Sequence, residues 1–305
     1  MVNLQISFIA SILLSSLSFV LPRTTLAETL ASIPRITVAQ SPKSLAQVPA
    51  EVHYKMGAVS LGLGNYEGAL ADFSKAIKID PNYAPAYSGR GSVYGQQGKA
   101  DLALADFDKA IEIDPKLASA YSNRGLIYQR QGKIDLALAD YSQAIKIDPS
   151  DPIAYSNRGD LYGKQGKADL ALTDLDKAIE IDPNDAVTYY NRGAIYGQKG
   201  KADLALADLD KAIEIDPNLA SAYSNRGLVY KQQGKADLAL ANFSKAIEID
   251  PNLAPAYANR GDIYRQQGKI DLAVADLENA KQLFSAQGNL TVVEQIDGIL
   301  RQLPQ

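Results

Sequence analysis

The chain contains no cysteine, no tryptophan and a single histidine, His53. The lack of cysteine excludes disulfides, thiolate metal sites, thiol nucleophiles and a lipid-anchored N-terminal cysteine. One histidine cannot build a histidine-rich metal site or a set of acid–base pairs. An excess of positive charge is lacking too: 31 Lys and Arg against 35 Asp and Glu leave a net −4, so the basic footprint of a nucleic-acid-binding protein is missing. With 46% apolar and 22% charged residues the composition is that of a soluble globular protein. A length of 305 residues suggests two ordinary domains. What the chain has in quantity is glycine and tyrosine, 22 and 17 residues, and their placement is periodic.

The N-terminal region stands apart. Ile6 to Leu21 is an apolar run of 16 residues, short for a membrane span and suited to the core of a signal peptide. Small residues at Thr25-Leu26-Ala27 and Thr37-Val38-Ala39 offer cleavage after Ala27 or Ala39. No Lys or Arg precedes the run, which weakens the positive flank that orients such segments. The expectation is an export segment over residues 1–27, with a retained membrane anchor as the alternative. Residues 28–49, with Pro34, Pro42 and Pro49 and no sustained period, read as a flexible linker.

From Ala50 the sequence repeats every 34 residues, in seven units that end at Gln287. Each unit encodes two helices. In the unit from Ala118, the residues Tyr121, Gly125 and Tyr128 lie four and three apart on one helical face, and Gly132 stops the helix. A second helix from about Ile134 presents Ala137, Tyr141 and Ala144, and Pro149 ends it. Gly125 costs about 1 kcal/mol inside a helix relative to Ala. Its recurrence predicts close helix–helix approach, with Ala137 and its equivalents as partners and the tyrosines filling the space between helices. Fourteen glycines and twelve tyrosines of the composition fall at these repeated positions.

This pattern resembles the tetratricopeptide repeat, with Tyr in place of that family's usual Trp. The resemblance implies an all-α fold: a right-handed superhelical solenoid of seven helix-turn-helix repeats (residues 50–287), whose first helices line a concave groove that binds peptides or proteins. The first unit, with His53, Met56 and Ser60 in place of Tyr, Arg and Tyr, is expected to be an atypical end. In the last unit Ser285 replaces a proline, so its second helix should run longer. Residues 288–305 should add a C-terminal capping helix, covering the last repeat with Leu290, Val293, Ile296 and Leu300.

Several recurring residues have no obvious packing reason. Asn123, Asn157, Asn191, Asn225 and Asn259 recur one per unit at a mid-helix position that disfavours asparagine. A carboxamide donates and accepts at once, so these residues could hold a peptide backbone. Their placement resembles the asparagine ladder in the repeat domain of the O-linked N-acetylglucosamine transferase. Next to them Arg90, Arg124, Arg158, Arg192, Arg226 and Arg260 form a second ladder. It could bind anions, but acids such as Asp106, Asp140 and Asp208 recur at the same period and favour internal pairing. The remaining groove set by repeat phase is Ile153, Val187, Leu126, Leu228 and Tyr190 with Asp160, Asp262, Arg130, Lys164, Lys231 and Arg265.

No catalytic, metal-binding or cofactor-binding constellation is visible, and no cofactor is expected. The expected function is a non-enzymatic scaffold that holds a protein or peptide partner in its groove and does not bind nucleic acid. It would be exported to the periplasm or another extracytoplasmic compartment, and would touch the membrane only through an uncleaved N-terminal segment. The alternatives are an assembly factor or accessory subunit of a larger extracytoplasmic complex, or a self-associating structural protein.

Overall fold

The structure, a computed structural model, describes residues 48–303. The expected export segment, nearly all of the expected linker and residues 304–305 lie outside the described residues. Fifteen α-helices and no strands are found among the described residues. They form seven hairpins: α1 (Ala50–Gly62) with α2 (Tyr66–Ile79), α3 (Ala84–Gln96) with α4 (Ala100–Ile113), α5 (Ala118–Arg130) with α6 (Ile134–Ile147), α7 (Pro152–Lys164) with α8 (Ala168–Ile181), α9 (Ala186–Gln198) with α10 (Ala202–Ile215), α11 (Ala220–Gln232) with α12 (Ala236–Ile249), and α13 (Ala254–Gln266) with α14 (Ile270–Ala286). A last helix, α15 (Leu290–Gln302), follows. The described residues divide into two compact units, with the boundary between Leu161 and Tyr162, inside α7.

The hairpins are written in their ends. Gly132 takes φ 71°, a left-handed backbone that costs a glycine nothing. Its N–H bonds Gln129 O, and the N–H of Lys133 bonds Tyr128 O at 2.9 Å, which closes the helix end. The second helix stops where Asp148 becomes extended, φ −124° and ψ 91°, ahead of Pro149. Ser285 removes that stop in the last repeat, and α14 runs to 17 residues against 14 in the other second helices.

The core is shared between consecutive hairpins, which is why the repeats stack. In unit one, Phe107 and Ala103 of α4 meet Ile127 of the following α5, and Tyr141 and Ala137 of α6 meet Leu161 of α7. In unit two, Phe243, Ala239 and Ala246 of α12 meet Ala256 and Ile263 of α13. Burying a side chain such as Phe243 stabilises the stack by roughly 2–3 kcal/mol. Glycine lets the two helices of a hairpin close. A Cβ on Gly125 would stand 3.0 Å from the Tyr141 ring, and one on Gly193 would meet Leu209 at 3.0 Å and Ala205 O at 3.2 Å.

Two expectations need correction. The tyrosines of the first helices do pack between helices, as Tyr128 does against Ala137, Tyr141 and Leu161, but at the margin of the core and not within it. Tyr121 and Tyr128 are half-buried, and the Arg124 guanidinium lies over both rings at 5.6 and 5.8 Å. The capping helix covers the last repeat, and Ile296 and Leu300 of the expected face make the contact, but Leu290 and Val293 are not part of it. Ile296 is buried against Leu277 and Ala280, with Val292, Ile299, Leu300 and Leu303 beside it. Leu290 is 65% exposed: six residues at 3.6 per turn place it about 120° around the helix from Ile296.

Candidate peptide-binding surface

Within unit one the first helices α1, α3 and α5 touch in succession, as α9, α11 and α13 do in unit two. The five asparagines lie on these helices and on α7. They do not share one environment.

In unit one, α3 carries Ser88, Gly89, Ser92 and Gly95 toward its neighbours. Ser92 and Gly95 face α5, where Asn123 is 1% exposed. Its Nδ2 donates to Ser92 Oγ at 3.1 Å, and that hydroxyl donates to Ser88 O at 2.9 Å. Asn123 is therefore a buried rung, not part of an exposed track. The neighbouring Ser122 donates to Asp151 Oδ2 at 3.0 Å, and Asp151 Oδ1 accepts from Ile153 N, at the start of α7. Burial pushes the Asp151 carboxyl above the usual range despite these bonds. Gln129 accepts from Tyr141 OH at 2.8 Å and donates to Asp160 at 3.1 Å. Leu126 packs beside Phe107 and Ile127, so it belongs partly to the core. Arg130 is exposed and donates to Gly95 O at 3.3 Å. Asn157 is half-buried and makes no side-chain hydrogen bond among the described residues.

In unit two, Asn191 on α9 and Asn225 on α11 are likewise half-buried, with no side-chain hydrogen bond among the described residues. Around them Val187 is 47% and Leu228 36% exposed. Tyr190 is half-buried and packs on the cluster that contains Ala222. Asn259, on α13, is already engaged: it donates to Pro255 O at 2.9 Å and accepts from Lys231 at 3.1 Å. The expected excess of cations is also reduced. Lys231 Nζ and Arg265 Nη2 both reach Asp262, each at 2.7 Å, and Gln266 donates to the same carboxylate at 2.9 Å. Burial raises the Asp262 carboxyl, but Lys231 and Arg265 outweigh it and hold it below the ordinary value. Lys164 is exposed at the end of α7.

The arginine ladder is an internal fastening. Arg124 Nε and Nη2 grip Asp140 of the same hairpin at 2.8 and 2.7 Å, while Nη1 reaches back to Asp108 of the preceding second helix at 2.6 Å. Arg192 repeats the pattern with Asp208 and Asp176. The Asp140 bonds raise the Arg124 pKa above its already high value despite burial, and those from Asp208 do the same for Arg192. Each such arginine ties three helices together.

Sequence reading did not single out the leucines near the start of the second helices. In unit two, Leu170, Leu204, Leu238 and Leu272 are each about half exposed. Their recurrence at one phase was the available signal. No group of three or more His, Asp or Glu residues able to hold a metal occurs among the described residues. No helix among the described residues is long and apolar enough to cross a membrane.

Comparison with known proteins agrees with this architecture. A family model described as "TPR repeat" matches residues 62–98, 91–132, 130–166, 162–200 and 195–234. Models described as "Tetratricopeptide repeat" match residues 220–253 and 242–275. No curated protein matches the chain. Among solved structures, a tetratricopeptide repeat protein from Parabacteroides merdae is 22% identical, with TM-score 0.61, covering 83% of this chain and 97% of that one. The APC/C hetero-tetramer Cut9–Hcn1 is 18% identical, with TM-score 0.72, covering 85% of this chain and 49% of that one. These two likenesses speak to the fold alone. YrrB, described as a TPR protein with an unusual peptide-binding site, is 28% identical, with TM-score 0.49, covering 60% of this chain and 95% of that one.

Proposed function

The chain belongs to the tetratricopeptide-repeat family, and from that premise we propose that it is a non-enzymatic scaffold that holds an extended protein segment against its first helices. The observation that carries this reading is the state of Asn191 and Asn225. Both are partly exposed on consecutive first helices, and neither amide has a side-chain hydrogen bond among the described residues. Two carboxamides so placed can each donate to and accept from a peptide backbone, as a strand edge does. Val187, Leu228 and Tyr190 flank them with apolar surface for side chains of the bound segment. Asn157 offers the same chemistry in unit one.

Charge plays the smaller part in this recognition, because Lys231 and Arg265 already answer Asp262. Specificity then comes from shape and backbone bonding. The scaffold is placed outside the cytoplasm, exported through Ile6 to Leu21 and cleaved after Ala27 or Ala39. The mass of the mature N-terminus tests that placement: an intact Met1 overturns cleavage. The binding reading is tested by selecting a binder from a random dodecapeptide library and adding it to amide-labelled protein. The Nδ2 resonances of Asn191 and Asn225 should shift on saturation, while that of the buried Asn123 should not. Binding without any shift at Asn191 and Asn225 overturns the reading.

A further inference from the structure

The first hairpin departs from the others at the contact that fastens a first helix to its second helix. In four of the later hairpins an arginine grips an aspartate sixteen residues on: Arg90 with Asp106, Arg124 with Asp140, Arg192 with Asp208, Arg260 with Asp276; in the sixth, Arg226 holds Asn242 at the same place. Asp72 occupies the aspartate's place in α2, but Met56 stands where the arginine belongs. The group that faces Asp72 instead is His53, at the position where later first helices carry tyrosine. Its Nδ1 lies 3.7 Å from Asp72 Oδ1, too long for a hydrogen bond. The ring is 5% exposed, and neither nitrogen has a hydrogen-bond partner among the described residues. Buried polar groups are nearly always bonded, so this ring marks the first hairpin as unlike its successors.

The charges around the ring come from three helices. On α2, Asp72 favours the imidazolium and Lys75 opposes it. On α1, Glu51 and Lys55 pair with each other at 2.8 Å, and Tyr54 packs against Phe73 and Tyr83. On α3, the other helix against α1, the one charged residue is Arg90, which is held by Asp106 and Ser74. No arginine is left to do for this hairpin what Arg124 does for the third.

We propose that the His53–Asp72 contact makes the first hairpin an acid-labile end of the array, so that α1 parts from α2 in mild acid while the arginine-fastened hairpins stay closed. Acidity then regulates how much of unit one's first-helix surface is available to a partner. This rests on the scaffold reading only for its use; the opening itself does not depend on any ligand. Burial, aided by Lys75, holds the folded imidazole pKa below its ordinary 6.5. The sign follows. The open hairpin takes up the proton first, so stability is complete above the ordinary value and is lost as pH falls from there toward the folded value.

Hydrogen exchange on the full chain, corrected for the intrinsic pH dependence of exchange, tests this. Between pH 7.5 and 5.5 the amides of α1 and α2 should lose up to about tenfold in protection, the limit set by one proton and an open-state pKa near 6.5. Those of α11 and α12 should change less than twofold. His53→Tyr, which installs the residue of the later repeats, should abolish the difference. Should that variant not fold, the unaltered chain still decides: with one histidine, selective labelling yields one imidazole signal. A titration midpoint below 6.5 is expected. A midpoint at or above that value, or an equal loss of protection in every hairpin, overturns the proposal. Failure to bind peptide would leave these readouts intact and count only against the scaffold reading.

Discussion

Arg226 Nε donates to Asn242 Oδ1 at 2.8 Å, where the equivalent arginines of the second, third, fifth and seventh hairpins hold an aspartate with two nitrogens. The sixth hairpin thus has a neutral amide in a place shaped for a carboxylate. Asn242→Asp should permit the bidentate, charge-assisted grip and stabilise the chain by about 1 kcal/mol, after loss of the Asn242 bond to Leu238 O. Chemical denaturation of the two proteins side by side checks this; a less stable Asp variant would show that the neutral pair is better suited to this site.

The converse change should be costly. Asp208 is nearly buried and answers two nitrogens of Arg192. Asp208→Ala should destabilise by about 2–4 kcal/mol, because the guanidinium is left half-buried with only the exposed Asp176 to face. Adding Arg192→Leu should recover most of that loss, since an apolar pair of similar volume often equals a buried ion pair. A double-mutant cycle in urea measures both steps. If the double variant is as unstable as Asp208→Ala, the loss comes from packing and not from the stranded charge.

Asp151 makes a pH-dependent prediction of opposite sign to His53. Burial raises its folded pKa above the ordinary 3.8, so the unfolded chain loses the proton first as pH rises. The charged carboxylate therefore counts against folding at neutral pH, and that cost fades as pH falls toward 3.8. Asp151→Asn keeps an acceptor for Ile153 N and should raise Tm at pH 7, with the gain shrinking toward pH 4. A gain that is constant with pH would refute the electrostatic cause.

Much of this architecture was legible before any coordinates, because a chain that repeats itself seven times reports its own equivalent positions. The stops at Gly132 and Pro149, the close approach at Gly125 and the longer α14 all follow from local chemistry within one repeat. What was not legible depends on the neighbouring repeat. Asn123 and Asn191 occupy one phase, yet Asn123 is buried and bonds the Ser92 hydroxyl that α3 happens to offer. Lys231 and Arg265 read as free cations until Asp262, on a helix shared with Arg265 and adjacent to Lys231, is seen between them. The exposure of Leu290 turns on a helix rotation that a list of apolar positions does not fix.

The central claim is that Asn191 and Asn225 bond the backbone of a bound segment. The most direct measurement is the affinity of a library-selected peptide for the Asn191→Ala, Asn225→Ala double variant, read by fluorescence anisotropy, with circular dichroism to establish equal helicity. Losing the bonds of two carboxamides at about 0.5–1.5 kcal/mol each should weaken binding by about 5- to 150-fold. Unchanged affinity in a variant of unchanged helicity would contradict the claim.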